Sequence, residues 1–273
     1  MTVQTPPDRT QAAPHRSTGT FAVSIITIVV GGCIILGTLA SSGLSAVRNA
    51  RSADAGPPVQ LTDTSGVESV DIDVTGGALT VVYDDVPQAE LDGDGAGAWR
   101  LELRGDTLYV ATPRRSFADW GSEKGATLTL PRALEGDAVS VDARIAGGSF
   151  DLDGDFGDVD VEVSGGSANV SGGVNALALT VAGGSVSADV DGAVEATFDV
   201  AGGELTATLT GEAPTRTSIE VTAGSADIGL PDDTYRFTSE GPGSVDSTLR
   251  TSPSATPRVE VQAVMGSVTL RAT

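Results

Sequence analysis

Histidine and cysteine are each present once, at His15 and Cys33, so the chain beyond residue 33 contains neither. Their absence there excludes disulfides, thiolate nucleophiles, a histidine general base and the common zinc sites. Basic side chains are scarce as well: from Ser52 onward 12 Lys plus Arg stand against 36 Asp plus Glu, a net of 24 negative charges. Such a surface repels nucleic-acid phosphates and bare anionic headgroups, which are bound through clustered Lys and Arg. Aromatic residues make up only 4% of the chain, which argues against a long sugar-stacking groove. No catalytic constellation and no cofactor motif is legible, and a nucleic-acid partner is not expected.

One feature near the N-terminus is plain. No charged residue occurs from Ser17 to Val47, and Phe21 to Ala40 is a predominantly apolar run of about the 20 residues that a helix needs to cross a bilayer. The expected organisation is a short tail at 1–18, a single transmembrane signal anchor at 19–47 and a linker at 48–60. Arg9 and Arg16 before the run balance Arg48 and Arg51 after it, so flanking positive charge does not orient the span. The tail, with Pro6, Pro7 and Pro14, offers nothing that needs translocation, which favours a domain outside the membrane. Two processing routes compete with a retained anchor. Val30-Gly31-Gly32-Cys33 loosely resembles a lipoprotein cleavage site, although apolar residues continue beyond the cysteine. Thr38-Leu39-Ala40, followed by two serines, would suit a signal peptidase.

After the linker the texture changes to alternation with a period of two, as in Val70, Ile72, Val74 and Val159, Val161, Val163. That is the mark of half-buried strands. Each alternating run ends in a corner, and the next apolar position falls five residues on: Val74 to Leu79, Ile145 to Phe150, Val163 to Ala168, Val181 to Val186, Val200 to Leu205, Val221 to Ala226 and Ala263 to Val268. Gly147, Gly165, Gly183 and Gly202 follow one another at 18, 18 and 19 residues. A fixed period of about 18–20 residues with two strands per unit reads as an all-β β-solenoid over 132–273. In it Ser149, Ser167 and Ser185 would stack in register. The segment 61–131 reads as an N-terminal β segment or cap. There, runs at Trp99 to Leu103 and Thr107 to Ala111 flank an Arg-Gly-Asp turn as a hairpin, and Ala126 to Leu130 is a further strand. The chain stops at Thr273 just after an alternating run, so the last unit is expected to end the stack without a cap.

The VDIDVTGGALTV unit from Val70, the TLTLP stretch to Pro131 and the successive SGG and AGGS corners resemble the bacterial "putative adhesin" family, a membrane-attached domain of repeated β-strands, over roughly Val67 to Leu270. The resemblance implies a β-solenoid and an envelope location. It brings no catalytic residue, and the strong acidity here departs from the family pattern.

Two local patterns merit attention. Asp151, Asp153, Asp155 and Glu162 have the carboxylate spacing of a calcium loop, but Phe156 stands where the turn needs glycine. As strand residues they form an ordinary solvated acidic face. The thirteen residues from Pro113 to Gly125 gather Arg114, Arg115, Phe117, Trp120 and Lys124. Loops of this length are often functional, and the composition suits an anionic or sugar-bearing partner; covering the end of the stack would use the same aromatics. The leading expectation is a non-enzymatic envelope protein, membrane-bound through 19–47, that presents its surface to a cell-wall polymer or a protein. The alternatives are a membrane-attached scaffold facing the cytoplasm that self-associates end to end through its last strand, and a polysaccharide-active β-helix enzyme.

Overall fold

The structure, a computed structural model, describes residues 59–60, 64, 66–93, 99–112 and 125–273. The chain divides into two compact units, Met1–Ser52 and Ala53–Thr273, and every described residue belongs to the second. The tail at 1–18, the apolar span at 19–47 and the start of the linker lie outside the described residues. Among the described residues no helix is long and apolar enough to cross a membrane.

The strands follow the alternation. β1 (Val59–Gln60) falls where the sequence suggested the end of the linker, and β2 (Ser69–Val74) leads by a three-residue corner into β3 (Ala78–Asp84). β4 (Glu90–Asp92), β5 (Arg100–Arg104), β6 (Thr107–Ala111) and β7 (Gly125–Pro131) come next, closed by a short 3-10 segment at Arg132–Asp137. Regular pairs then succeed one another: β8 (Ser140–Ile145) with β9 (Ser149–Asp153), β10 (Asp158–Val163) with β11 (Ser167–Gly173), and β12 (Ala176–Val181) with β13 (Ser185–Asp191). β14 (Glu195–Val200) with β15 (Glu204–Thr210) and β16 (Arg216–Val221) with β17 (Ser225–Leu230) continue the series. The last elements are β18 (Thr234–Glu240), β19 (Ser244–Ser247), β20 (Arg250–Thr251), β21 (Arg258–Ala263) and β22 (Ser267–Ala272).

These strands form two 11-stranded sheets. The front sheet runs β20-β18-β21-β16-β14-β12-β10-β8-β2-β6-β5, and the back sheet β1-β4-β7-β3-β9-β11-β13-β15-β17-β22-β19. Each pass of the chain lays one strand in the front sheet, turns a corner and lays the next in the back sheet. Neighbouring passes pair parallel and in register, so Val159 sits beside Val141 and Leu177, and Ser167 between Ser149 and Ser185 as the repeat predicts. Antiparallel pairing is confined to β1, β4 and β5 at one end. The inward Val, Leu, Ile, Ala and Phe of both sheets make one continuous core, with Ile72, Phe150, Leu179 and Phe198 essentially inaccessible. Full burial of each such large side chain contributes about 1.5–3 kcal/mol.

The corners explain the glycines. Gly166 has φ +90°, and a Cβ on it would lie 2.2 Å from the carbonyl oxygen of Gly148, the same position one pass earlier. That oxygen accepts the Ser167 N–H at 3.0 Å, so the backbones are drawn together by a bond that leaves no room for a side chain. The preceding corner position is less confined, with a Cβ 3.0 Å from the nearest backbone oxygen at Gly202 and 3.7 Å at Gly147, and it is where Ala223 and Met265 are found, with Met265 77% exposed.

The order of passes at the ends departs from the order in sequence. β21 and β22 do not end the stack. They insert between β16–β17 and β18–β19, pairing parallel on both sides. The expectation of an uncapped last unit at Thr273 is therefore corrected: on that side the sheets end in β19 and β20. The reason lies in composition, because the inward residues Val259, Val261, Ala263, Val268 and Leu270 are all buried between two neighbours. The β18–β19 pass places Ser239 and Ser247 at equivalent positions and is better suited to an outer slot. At the other end β2–β3 likewise lies between β6–β7 and β8–β9, so the segment 61–131 is continuous with the rest of both sheets.

Candidate functional site

The sequence-predicted residues are dispersed by the fold. Arg114, Arg115, Phe117, Trp120 and Lys124 lie outside the described residues; the segment that carries them links β6 to β7, where every other pass has a three-residue corner. Asp151 and Asp153 are on β9 in the back sheet, whereas Glu162 is on β10 in the front sheet, across the core. Asp153 accepts a hydrogen bond from Ser171 Oγ at 2.9 Å, and Asp155 accepts the Gly173 N–H at 2.7 Å. These two carboxylates tie neighbouring passes together. Among the described residues no group of three or more His, Cys, Asp or Glu side chains is placed to hold a metal ion.

What the register does bring together is a set of carboxylates on the front face. Asp71, Asp142 and Asp160 are successive partners on β2, β8 and β10, and Asp73, Arg144 and Glu162 form the adjoining row. Arg144 reaches Asp142 at 3.1 Å and Asp71 at 3.6 Å. Its charge lowers the cost of the row without cancelling it: partial burial, then the Asp142 charge, hold both Asp71 and Asp160 above the usual Asp range. Farther along, burial raises Asp199, and burial together with Asp199 raises Glu220.

Beside this row the face dips. β12 carries only Ala176 and Ala178 at the outward positions where β10 has Asp158 and Asp160 and β14 has Glu195 and Thr197. The result is an open groove of about 380 Å³, floored by the two alanines and walled by Asp142, Asp158, Asp160 and Glu195. Partly desolvated carboxylates along such a trough accept hydrogen bonds from hydroxyl groups or pair with cationic ones. The short outward residues of ALALTV are visible in the sequence, but only the strand register shows which carboxylates flank them.

No family model matches the chain, and no curated protein matches it. Solved structures align with it over 80% of its length. A "putative cell adhesion protein" from Clostridium sporogenes is 11% identical, with all of that chain covered and a TM-score of 0.35. A "putative adhesin" from Bacteroides fragilis is 13% identical, with 97% of that chain covered and a TM-score of 0.37. A "putative lipid binding protein" from Parabacteroides distasonis is 12% identical, with 98% of that chain covered and a TM-score of 0.32.

The back face differs from the front. Its first outward row runs Ser149, Ser167, Ser185, Glu204, Ser225, Ser267, and its second runs Asp151, Asn169, Ser187, Thr206, Asp227, Thr269. Most of these groups are short hydroxyls and amides, whereas the front face combines a carboxylate row with the groove beside it, which makes the front face the stronger candidate for recognition.

Proposed function

We propose that this chain is a non-enzymatic, adhesin-like binding module of the cell envelope. Its β-solenoid holds the front-face groove open to a hydroxyl-rich polymer such as a cell-wall glycan. The observation that carries the reading is the in-register carboxylate row beside a trough with an alanine floor, a shape and chemistry that a polyol chain fits and a polyanion does not. The apolar run at 19–47 supplies the membrane attachment, and the 113–124 segment, rich in Arg and aromatics, is a second contact candidate. In the scaffold reading the self-associating edge would be β19 and β20, since the last strand in sequence has neighbours on both sides.

The test is binding of the full chain to purified cell-wall glycan, compared with a variant carrying Asp142→Asn and Asp160→Ala. Loss of about tenfold in affinity or more is expected, the equivalent of at least one charge-assisted hydrogen bond. Equal binding by both proteins would move the contact away from the groove. A reporter fused after Thr273 that is active only outside the cytoplasmic membrane is expected to be active; activity of an inside-only reporter would exclude an adhesive role.

A further inference from the structure

Three arginines occupy equivalent positions on neighbouring strands at the far end of the front sheet. Arg216 on β16 is the register partner of Arg258 on β21, which in turn faces Arg236 on β18. Their neighbours Thr217, Val259 and Tyr235 are buried, so all three arginines belong to the outward set, in one row with steps of about 4.8 Å. Like charges directly opposite one another destabilise a sheet, and the chain has few arginines to place.

Among the described residues the other arginines are held by carboxylates: Arg100 and Arg104 by Glu102, Arg132 by Glu135, Arg144 by Asp142 and Asp71, and Arg271 by Asp227. The row is different. Arg258 alone has a carboxylate partner, Glu260 at 3.4 Å, while Arg236 Nε donates to the Pro253 carbonyl at 3.1 Å. Arg216 forms no ion pair among the described residues, although Glu195 is its register partner on β14. Arg250 on the adjoining β20 is already bound to Asp232 at 2.8 Å.

We propose that the Arg216–Arg258–Arg236 row binds a discrete phosphate group. Arg216, with no ion pair, and the neighbouring Arg258, whose pair to Glu260 is solvent-exposed, are the forks that would turn their N–H donors to one tetrahedral oxyanion, and the bound charge turns the repulsion between them into attraction. Glu195 and Glu260 bound the row, and the domain is negative around it, so a long polyanion is rejected while a single phosphate is accepted. The row adjoins the carboxylate groove, with Glu195 lying between Arg216 and the alanine floor, and the two are tested with different ligands and different variants.

The experiment is a titration of the full chain with inorganic phosphate at constant ionic strength, followed by arginine side-chain NMR signals. Specific shifts are expected, with affinity falling about tenfold or more in the Arg216→Gln, Arg258→Gln double variant. Arg132→Gln is expected to bind as the parent does. No saturable shift in the parent, or equal affinity in the double variant, would overturn the proposal. If the double variant fails to fold, Arg216→Gln alone, at the most exposed of the three positions, is read in the same way. Dihexanoyl phosphatidic acid in place of phosphate identifies the source: tighter binding than inorganic phosphate assigns a lipid headgroup, and equal binding assigns a free or sugar-borne phosphate.

Discussion

At the scale of single residues, the two glycines of a corner do different work. The second, as at Gly166, is required twice over, by its positive φ and by the Gly148 backbone 2.2 Å from where a Cβ would stand. Gly192 has a similar φ of +78°, but its nearest neighbour, the Val174 oxygen, is 3.9 Å from the Cβ site. The left-handed conformation alone costs an alanine about 1–2 kcal/mol, so Gly192→Ala is expected to destabilise by about that much. Gly166→Ala must also push two passes apart and is expected to lose about 3 kcal/mol or more. Urea unfolding of the two variants separates conformational strain from close approach; equal losses would mean that the passes yield without cost.

At the scale of elements, parallel register has an electrostatic consequence. Acidic residues that alternate innocuously along one strand become a row when β2, β8 and β10 align. A carboxyl whose folded pKa lies above its unfolded value holds its proton more tightly in the folded chain. Its contribution is unfavourable in full above the folded pKa and disappears as pH falls below the unfolded value, 3.8 for Asp71, Asp160 and Asp199 and 4.5 for Glu220. Acidification from neutral to about pH 4.5 therefore stabilises the domain through these groups, against the small loss of the attraction that Arg144 exerts on Asp71 and Asp160. A melting temperature higher at about pH 4.5 than at pH 7.5 is expected, with the difference reduced in Asp160→Asn, which removes one member of the row. A melting temperature that falls on acidification would show that the Arg144 pairs outweigh the burial of the row.

For the molecule as a whole, the order of passes matters more than their number. In a stack built in simple sequence order, removal of the last pass would shorten it by one unit. Here residues 258–273 fill an interior slot, and their removal would leave β16 and β17 paired on one side only, β18 paired only with the short β20, and β19 with no partner. Deletion of 258–273 is expected to release the whole region from Pro231 onward, seen as loss of hydrogen-exchange protection through β18 and β19, while β8 to β15 stay protected. Retained protection in β18 and β19 would mean that the outer pass re-pairs directly with β16 and β17.

Much of this architecture was legible from residues. Alternation in VDIDV and DVDVEV marked the strands, and glycine in the corners marked the turns, because each is dictated by neighbours a few residues away in the chain. The spacing of the AGGS corners even gave the in-register stacking of Ser149, Ser167 and Ser185. The slot of each pass was not legible at the ends, where β21–β22 and β18–β19 have compatible patterns and only the burial available on both sides decides which goes inside. The groove and the arginine row were hidden for the same reason. Ala178 between Asp160 and Thr197, and Arg258 between Arg216 and Arg236, are neighbours across hydrogen bonds between strands that lie about 18–40 residues apart in sequence. Period and polarity are local properties that the chain carries along its length; adjacency across the sheet is created only when the passes choose their order.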